Sequence, residues 1–153
     1  MEAVSESSRA PAHGARRPEP LASRLRTTLL RTSRVLREQK VGDLSGGQMA
    51  VLGQLVAHGP LTPGELAERE RVRPPSMTRT VQHLIDAGLA ERHPHPDDGR
   101  QVLVSATARG QEHVAATRRR RDEWLKRRLA SLTTDERATL SAAEEILRRI
   151  CAQ

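Results

Sequence analysis

From Leu61 to Ser105, helix-starting and helix-stopping residues follow one another at short intervals, and their order leaves few folds open. Thr62 suits an N-cap, Pro63 the first helical position, and Glu65 completes a capping box. Leu66 and Ala67 point inward, and this short helix runs out near Arg71. Arg73-Pro74-Pro75-Ser76 intervenes. Pro75 disfavours a helical Pro74, so the next helix is expected to start at Pro75. Its inward residues are Met77 or Thr78, then Val81, Leu84 and Ile85, and Gly88 ends it. Residues 89–93 read as a strand, Pro94-His95-Pro96-Asp97-Asp98-Gly99 as a turn, and residues 101–105 as a returning strand with Val102 and Val104 on one face. Two helices across a short break, followed at once by a hairpin, make a winged helix-turn-helix.

The flanks are helical. Leu21, Leu25, Leu29 and Leu36 recur at spacings of a helix face, and Gly42 closes that element. Ser45 and Gln48 have capping-box spacing ahead of a stripe of Met49, Leu52, Leu55 and Val56, which His58-Gly59-Pro60 stops. Thr107 caps a long helix to about Ser131, with Val114, Leu125, Leu129 and Leu132 on one face. Thr133 and Glu136 open a last helix bearing Leu140, Ala143, Leu147 and Ile150. The chain has one tryptophan and no phenylalanine or tyrosine, so its core is built from Leu, Val, Ile and Ala. The expected fold is mainly α. A winged helix-turn-helix with a two-stranded β wing spans residues 45–106, helices at 20–41 and 107–151 serve dimerisation, and residues 1–19 form a disordered arm. Leaving the leucine stripes of the terminal helices in water is costly, so a homodimer is expected to bury them.

At 153 residues the chain is sized for one domain. No run of about 18 apolar residues exists, so no membrane span is expected, and residues 1–20 lack the apolar stretch of a secretory signal. The lone Cys151 cannot form an intrachain disulfide, which favours a cytoplasmic setting. No nucleophile elbow, P-loop or metal-ligand cluster is found, so neither an enzyme nor a cofactor is expected. Net charge is +7, unevenly spread. Residues 58–105 carry six basic and seven acidic groups, whereas residues 20–44 and 106–130 have net charges of +4 and +5. DNA affinity in the middle segment must therefore come from a few placed arginines.

The second helix of the pair, residues 75–87, is the candidate recognition helix. Its N-terminal amides suit phosphate, and Pro75, Ser76, Thr78, Arg79 and Gln82 are its candidate DNA contacts. Arginine can bond guanine bidentately and glutamine adenine. Arg100 can enter a narrow minor groove, and Asp98 supports the wing by holding Arg100 or stiffening the turn. His93 and His95 lie beside Asp97 and Asp98, but Pro94 and Pro96 disrupt the strand and no cysteine is near, so solvated wing polarity is expected rather than zinc. The run Arg118 to Arg121 faces around most of its helix and reads as solvated.

The sequence Pro75-Ser76-Met77-Thr78-Arg79-Thr80-Val81, then Leu84, Gly88-Leu89 and Arg92, resembles the MarR family of bacterial transcription regulators. Asp98-Gly99-Arg100 is similar to that family's Asp-x-Arg wing signature, and Val102, Val104, Thr107 and Gly110 fit the family's second wing strand and the start of its next helix. Ala106 departs from the usual leucine, and the Pro74-Pro75 pair departs at the recognition helix. The resemblance implies a MarR-type domain over residues 20–153. It implies a homodimeric repressor on a pseudo-palindromic stretch of double-stranded DNA, responsive to a small anionic or phenolic effector. Residues of the ligand site are not assigned, but Trp124 is the one ring besides histidine available to line it. A winged-helix architectural or protein-interaction module without ligand sensing is the alternative.

Overall fold

The computed structural model describes residues 19–96 and 98–152. The chain divides into two compact units, one ending at Arg34 and the other beginning at Val35. Of the arm expected at residues 1–19, all but Glu19 lies outside the described residues.

Helix α1 (Leu21–Glu38) crosses the division, ending three residues before the expected boundary at 41. Helix α2 (Gly46–His58) starts at the Ser45 capping box and stops at Gly59, whose φ of 82° lies in the region glycine tolerates. Helix α3 (Pro63–Glu70) carries the complete Thr62–Glu65 box and ends on Arg71 in the left-handed conformation, φ 52°. Helix α4 covers Pro74–Asp86. Strands β1 (Ala90–Pro94) and β2 (Val102–Ala106) pair antiparallel, with Ala90 opposite Ala106 and Pro94 opposite Val102. Helix α5 (Ala108–Leu129) is capped by Thr107, and α6 (Thr134–Cys151) by the Thr133–Glu136 box.

The core joins α2, α3, α4 and the wing. Leu52, Leu66, Val81, Leu84 and Val104 are fully buried. Each such side chain contributes about 1.5–3 kcal/mol over exposure. Met77, not Thr78, faces this core, and Val51 joins the α2 stripe. From α5 only Gly110, Val114 and Thr117 are buried, and nothing in α6 is. The stripe foreseen on α5 is thus buried at Val114 and exposed at Leu125.

Two sequence expectations are corrected. Both strands begin one residue later than expected, and Val102 shares a face with Val104 yet is 41% exposed because it lies beyond the core. Helix α4 begins at Pro74, not Pro75. The rule that a residue before proline avoids the α region yields here to the first-turn position. Both rings are pre-set to helical φ, and the missing N–H groups are ones the first turn leaves unbonded anyway. One pairing was not foreseen: Leu61 exchanges two main-chain hydrogen bonds with Val104, at 3.0 and 2.8 Å.

Candidate nucleic-acid interface

The burial of Met77, Val81 and Leu84 fixes the rotation of α4. The opposite face carries Pro75, Arg79, Gln82 and Asp86 at helical spacing, all exposed, with Ser76 and Thr78 exposed beside them. The sequence candidates on this helix therefore share one solvent-facing side. Thr78 Oγ1 donates to the Pro74 carbonyl at 3.1 Å, and Gln82 Nε2 donates to Asp86 Oδ1 at 2.7 Å.

The first turn does not offer the amide cradle expected for phosphate. Pro74 and Pro75 have no N–H, and the N–H groups of Ser76 and Met77 both donate to the Arg73 carbonyl, at 3.0 and 3.2 Å. In a DNA-binding reading, phosphate contact at this end would fall to side chains, and Arg73, exposed at the N-cap, joins the candidates named singly from the sequence.

Leu89 N–H donates to the Leu84 carbonyl at 2.9 Å, so the chain passes from α4 into β1 without slack. At the far end of the hairpin, Asp98 Oδ1 accepts the Arg100 main-chain N–H and Oδ2 the Gln101 amide, each at 3.0 Å. These two bonds hold the Asp98 carboxyl below its ordinary range, and the charge of His95 acts in the same direction. Asp98 thus grips the backbone at Arg100 and stiffens the turn, while the Arg100 side chain is exposed at the tip. His93 Nε2 lies 2.8 Å from Ser105 Oγ across the hairpin and 3.6 Å from Glu91. Asp97 lies outside the described residues, and among those described no group of three metal-ligating side chains gathers.

In the arginine run of α5, Arg121 Nε donates to the Leu36 carbonyl at 3.2 Å, near the C-terminal end of α1 where a cation is favourable. Arg119 pairs with Glu112. The Trp124 ring is covered by the Arg128 guanidinium, 3.5 Å from its centroid, so it is already occupied by a cation.

A cavity of about 500 Å³ opens beside the helix-turn-helix, lined by residues of the α1–α2 link, α2, α4, the α4–β1 link and α5. Arg109, His83, His113 and Asp43 are its titratable groups. His113 Nε2 is buried without a hydrogen-bond partner among the described residues.

A short helix and a second helix presenting a polar face, locked to a two-stranded wing by one core, define a winged helix-turn-helix DNA-binding protein. Residues 42–101 match the MarR family. An HTH-type transcriptional regulator of Mycobacterium tuberculosis is 49% identical over 128 residues, covering 83% of this chain and 90% of the relative. The multiple antibiotic resistance protein MarR of Salmonella typhimurium is 35% identical over 109 residues, covering 71% of this chain and 74% of its own. The crystal structure of a Pseudomonas aeruginosa transcriptional regulator aligns with a TM-score of 0.77 at 34% identity, over 86% of this chain and 93% of that one. The chain belongs to the MarR family of helix-turn-helix transcriptional regulators.

Proposed function

We propose that the protein binds a pseudo-palindromic operator as a homodimer and represses transcription by occupying the promoter, in the reducing cytoplasm. The observation that carries this reading is the exposed face of α4, with Arg79 and Gln82 standing clear of the core beside a wing tipped by Arg100. In this reading α4 enters the major groove, where Pro75, Ser76, Thr78, Arg79 and Gln82 meet base edges and backbone, and Arg100 enters the neighbouring minor groove. Asp98 keeps Arg100 at the right height by fixing the turn. The near-neutral balance of residues 58–105 makes affinity depend on these few cations. Arg79→Ala is expected to cost about 1–3 kcal/mol of binding and to relax specificity. Arg100→Ala is expected to weaken binding with less change in major-groove preference. Anisotropy titrations of folded variants on one duplex at fixed salt make the comparison. Unchanged affinity in both would remove this assignment.

Ligand response is supported by a separate observation, the cavity holding Arg109 and the unpartnered His113 nitrogen. Its size lies in the range of about 300–1,000 Å³ usual for small-molecule sites. A buried nitrogen lacking a partner has a hydrogen bond to gain, and Arg109 favours an anion. A carboxylate or phenolate of modest size fits these groups. To relieve repression it must prefer the conformation that does not bind DNA, with coupling of about 1–3 kcal/mol. Aromatic carboxylates, phenols and matched cationic amines are to be tested for release of the protein from operator DNA. Anions are expected to act, and His113→Ala to blunt them. Action by cations alone, or by none, defeats the ligand reading and leaves DNA binding standing.

A further inference from the structure

We propose that Asp86 is a positioning residue for base recognition. It locks the Gln82 amide so that this position of α4 selects a base carrying an exocyclic amine in the major groove and rejects guanine. The inference rests on the reading of α4 as the base-contacting helix.

A free glutamine amide can turn over. With the carbonyl forward it accepts from an amine, and with the NH₂ forward it donates to an acceptor, so alone it discriminates poorly. Here Gln82 Nε2 donates to Asp86 Oδ1 at 2.7 Å. A carboxylate oxygen only accepts, so the NH₂ end must face Asp86, because the reverse would set oxygen against oxygen. That fixes Oε1 on the other side of the amide with its lone pairs open, and leaves one N–H to spare. The complement is the N6 amine of adenine or the N4 amine of cytosine, and on adenine the remaining N–H can reach N7. Guanine and thymine offer O6 and O4 there, acceptors that would oppose Oε1.

The position of Asp86 makes this pairing more than incidental. It is the last residue of α4, where an anion opposes the helix macrodipole. It also stands on the ridge of Pro75, Arg79 and Gln82, where an anion would repel phosphates. Both effects disfavour aspartate here, and its bond to Gln82 is the compensating gain.

The test is binding-site selection from randomised duplexes by the full-length chain, read by sequencing, for the wild type, Asp86→Ala, Asp86→Asn and Gln82→Ala. The wild type is expected to prefer an amine-bearing base about tenfold at one position of each half-site. In Asp86→Ala and Gln82→Ala this preference is expected to fall below about twofold, and Asp86→Asn, equal in size but able to donate, to admit guanine. At low salt Asp86→Ala should bind all duplexes about two- to fivefold more tightly, because a repulsive anion is gone. If Asp86→Ala and Asp86→Asn keep the wild-type preference at every position, Asp86 acts only through its charge and the proposal is wrong. If the wild type selects no motif, the reading of α4 falls, and the role of Asp86 with it.

Discussion

Gly110→Ala is expected to destabilise the protein by about 3 kcal/mol or more, lowering Tm by roughly 6–12 °C for a domain of this size. A Cβ there would fall inside the van der Waals shell of the Leu89 carbonyl oxygen, 3.0 Å from its carbon and 3.1 Å from Leu52 Cδ1. Two of those three atoms are backbone, and that carbonyl accepts the Thr107 N–H at 3.1 Å. Neither the start of α5 nor the step from α4 into the wing can move aside without breaking a cap or a core contact. The Gly110 N–H also donates to Thr107 Oγ1, so the substitution strains the cap of α5. Thermal unfolding followed by circular dichroism reads the effect. A Tm within about two degrees of wild type would mean that α5 can draw away from Leu89 at little cost.

Truncation before Thr133 is expected to abolish dimerisation and reduce operator affinity by about two to three orders of magnitude, as two linked half-site contacts become independent. In the single chain, Leu21, Leu25 and Leu29 of α1 are 65%, 38% and 46% exposed, and Leu140 and Ile150 of α6 are 48% and 58% exposed. Each of these leaves apolar area in water worth a sizeable part of the 1.5–3 kcal/mol that full burial brings, roughly. In the proposed homodimer, a two-fold partner covering these stripes would recover it by a self-complementary contact. Ile150→Glu separates association from folding, since no packed neighbour is lost at an exposed position. It is expected to give a folded chain of half the mass by light scattering. A stable full-length monomer at micromolar concentration would rule this assembly out.

What the sequence reveals of this fold is what local chemistry decides. The Ser45–Gln48, Thr62–Glu65 and Thr133–Glu136 boxes all form, because a cap needs only residues three apart. The hairpin is legible from its turn formers, and Val102 and Val104 share a face as the alternation implies, but both strands start one residue later than expected, since strand ends follow the ladder between two segments and not either one alone. The start of α4 set two local rules against each other at Pro74, and the first-turn preference prevailed. The Leu61–Val104 pairing joins residues distant in sequence, and no local signal marks a one-residue bridge. On the candidate interface, burial of Met77, Val81 and Leu84 put the chosen polar residues outward, as the periodicity implied. The Gln82–Asp86 bond was within reach, because a spacing of four on a helix brings side chains together. The cavity around His113 was not, since its walls come from three stretches distant in sequence, residues 41–48, 83–89 and 109–113.

The Leu61–Val104 bridge has a mechanical consequence. It ties the hairpin to the link between α2 and α3, while Leu84 and Leu89 tie it to α4, so the wing is clamped at both ends of the helix-turn-helix. Both ties lie at the base of the hairpin, at Leu89 and Val104, and anchor that end to the helix-turn-helix. If Arg79 and Arg100 make the DNA contacts proposed above, that anchoring sets the base from which Arg100 is presented, and Asp98 holds its turn. An effector of the kind proposed above would then find little to adjust at that anchored base, and in a homodimer the spacing of the two helix-turn-helix units would be left to change.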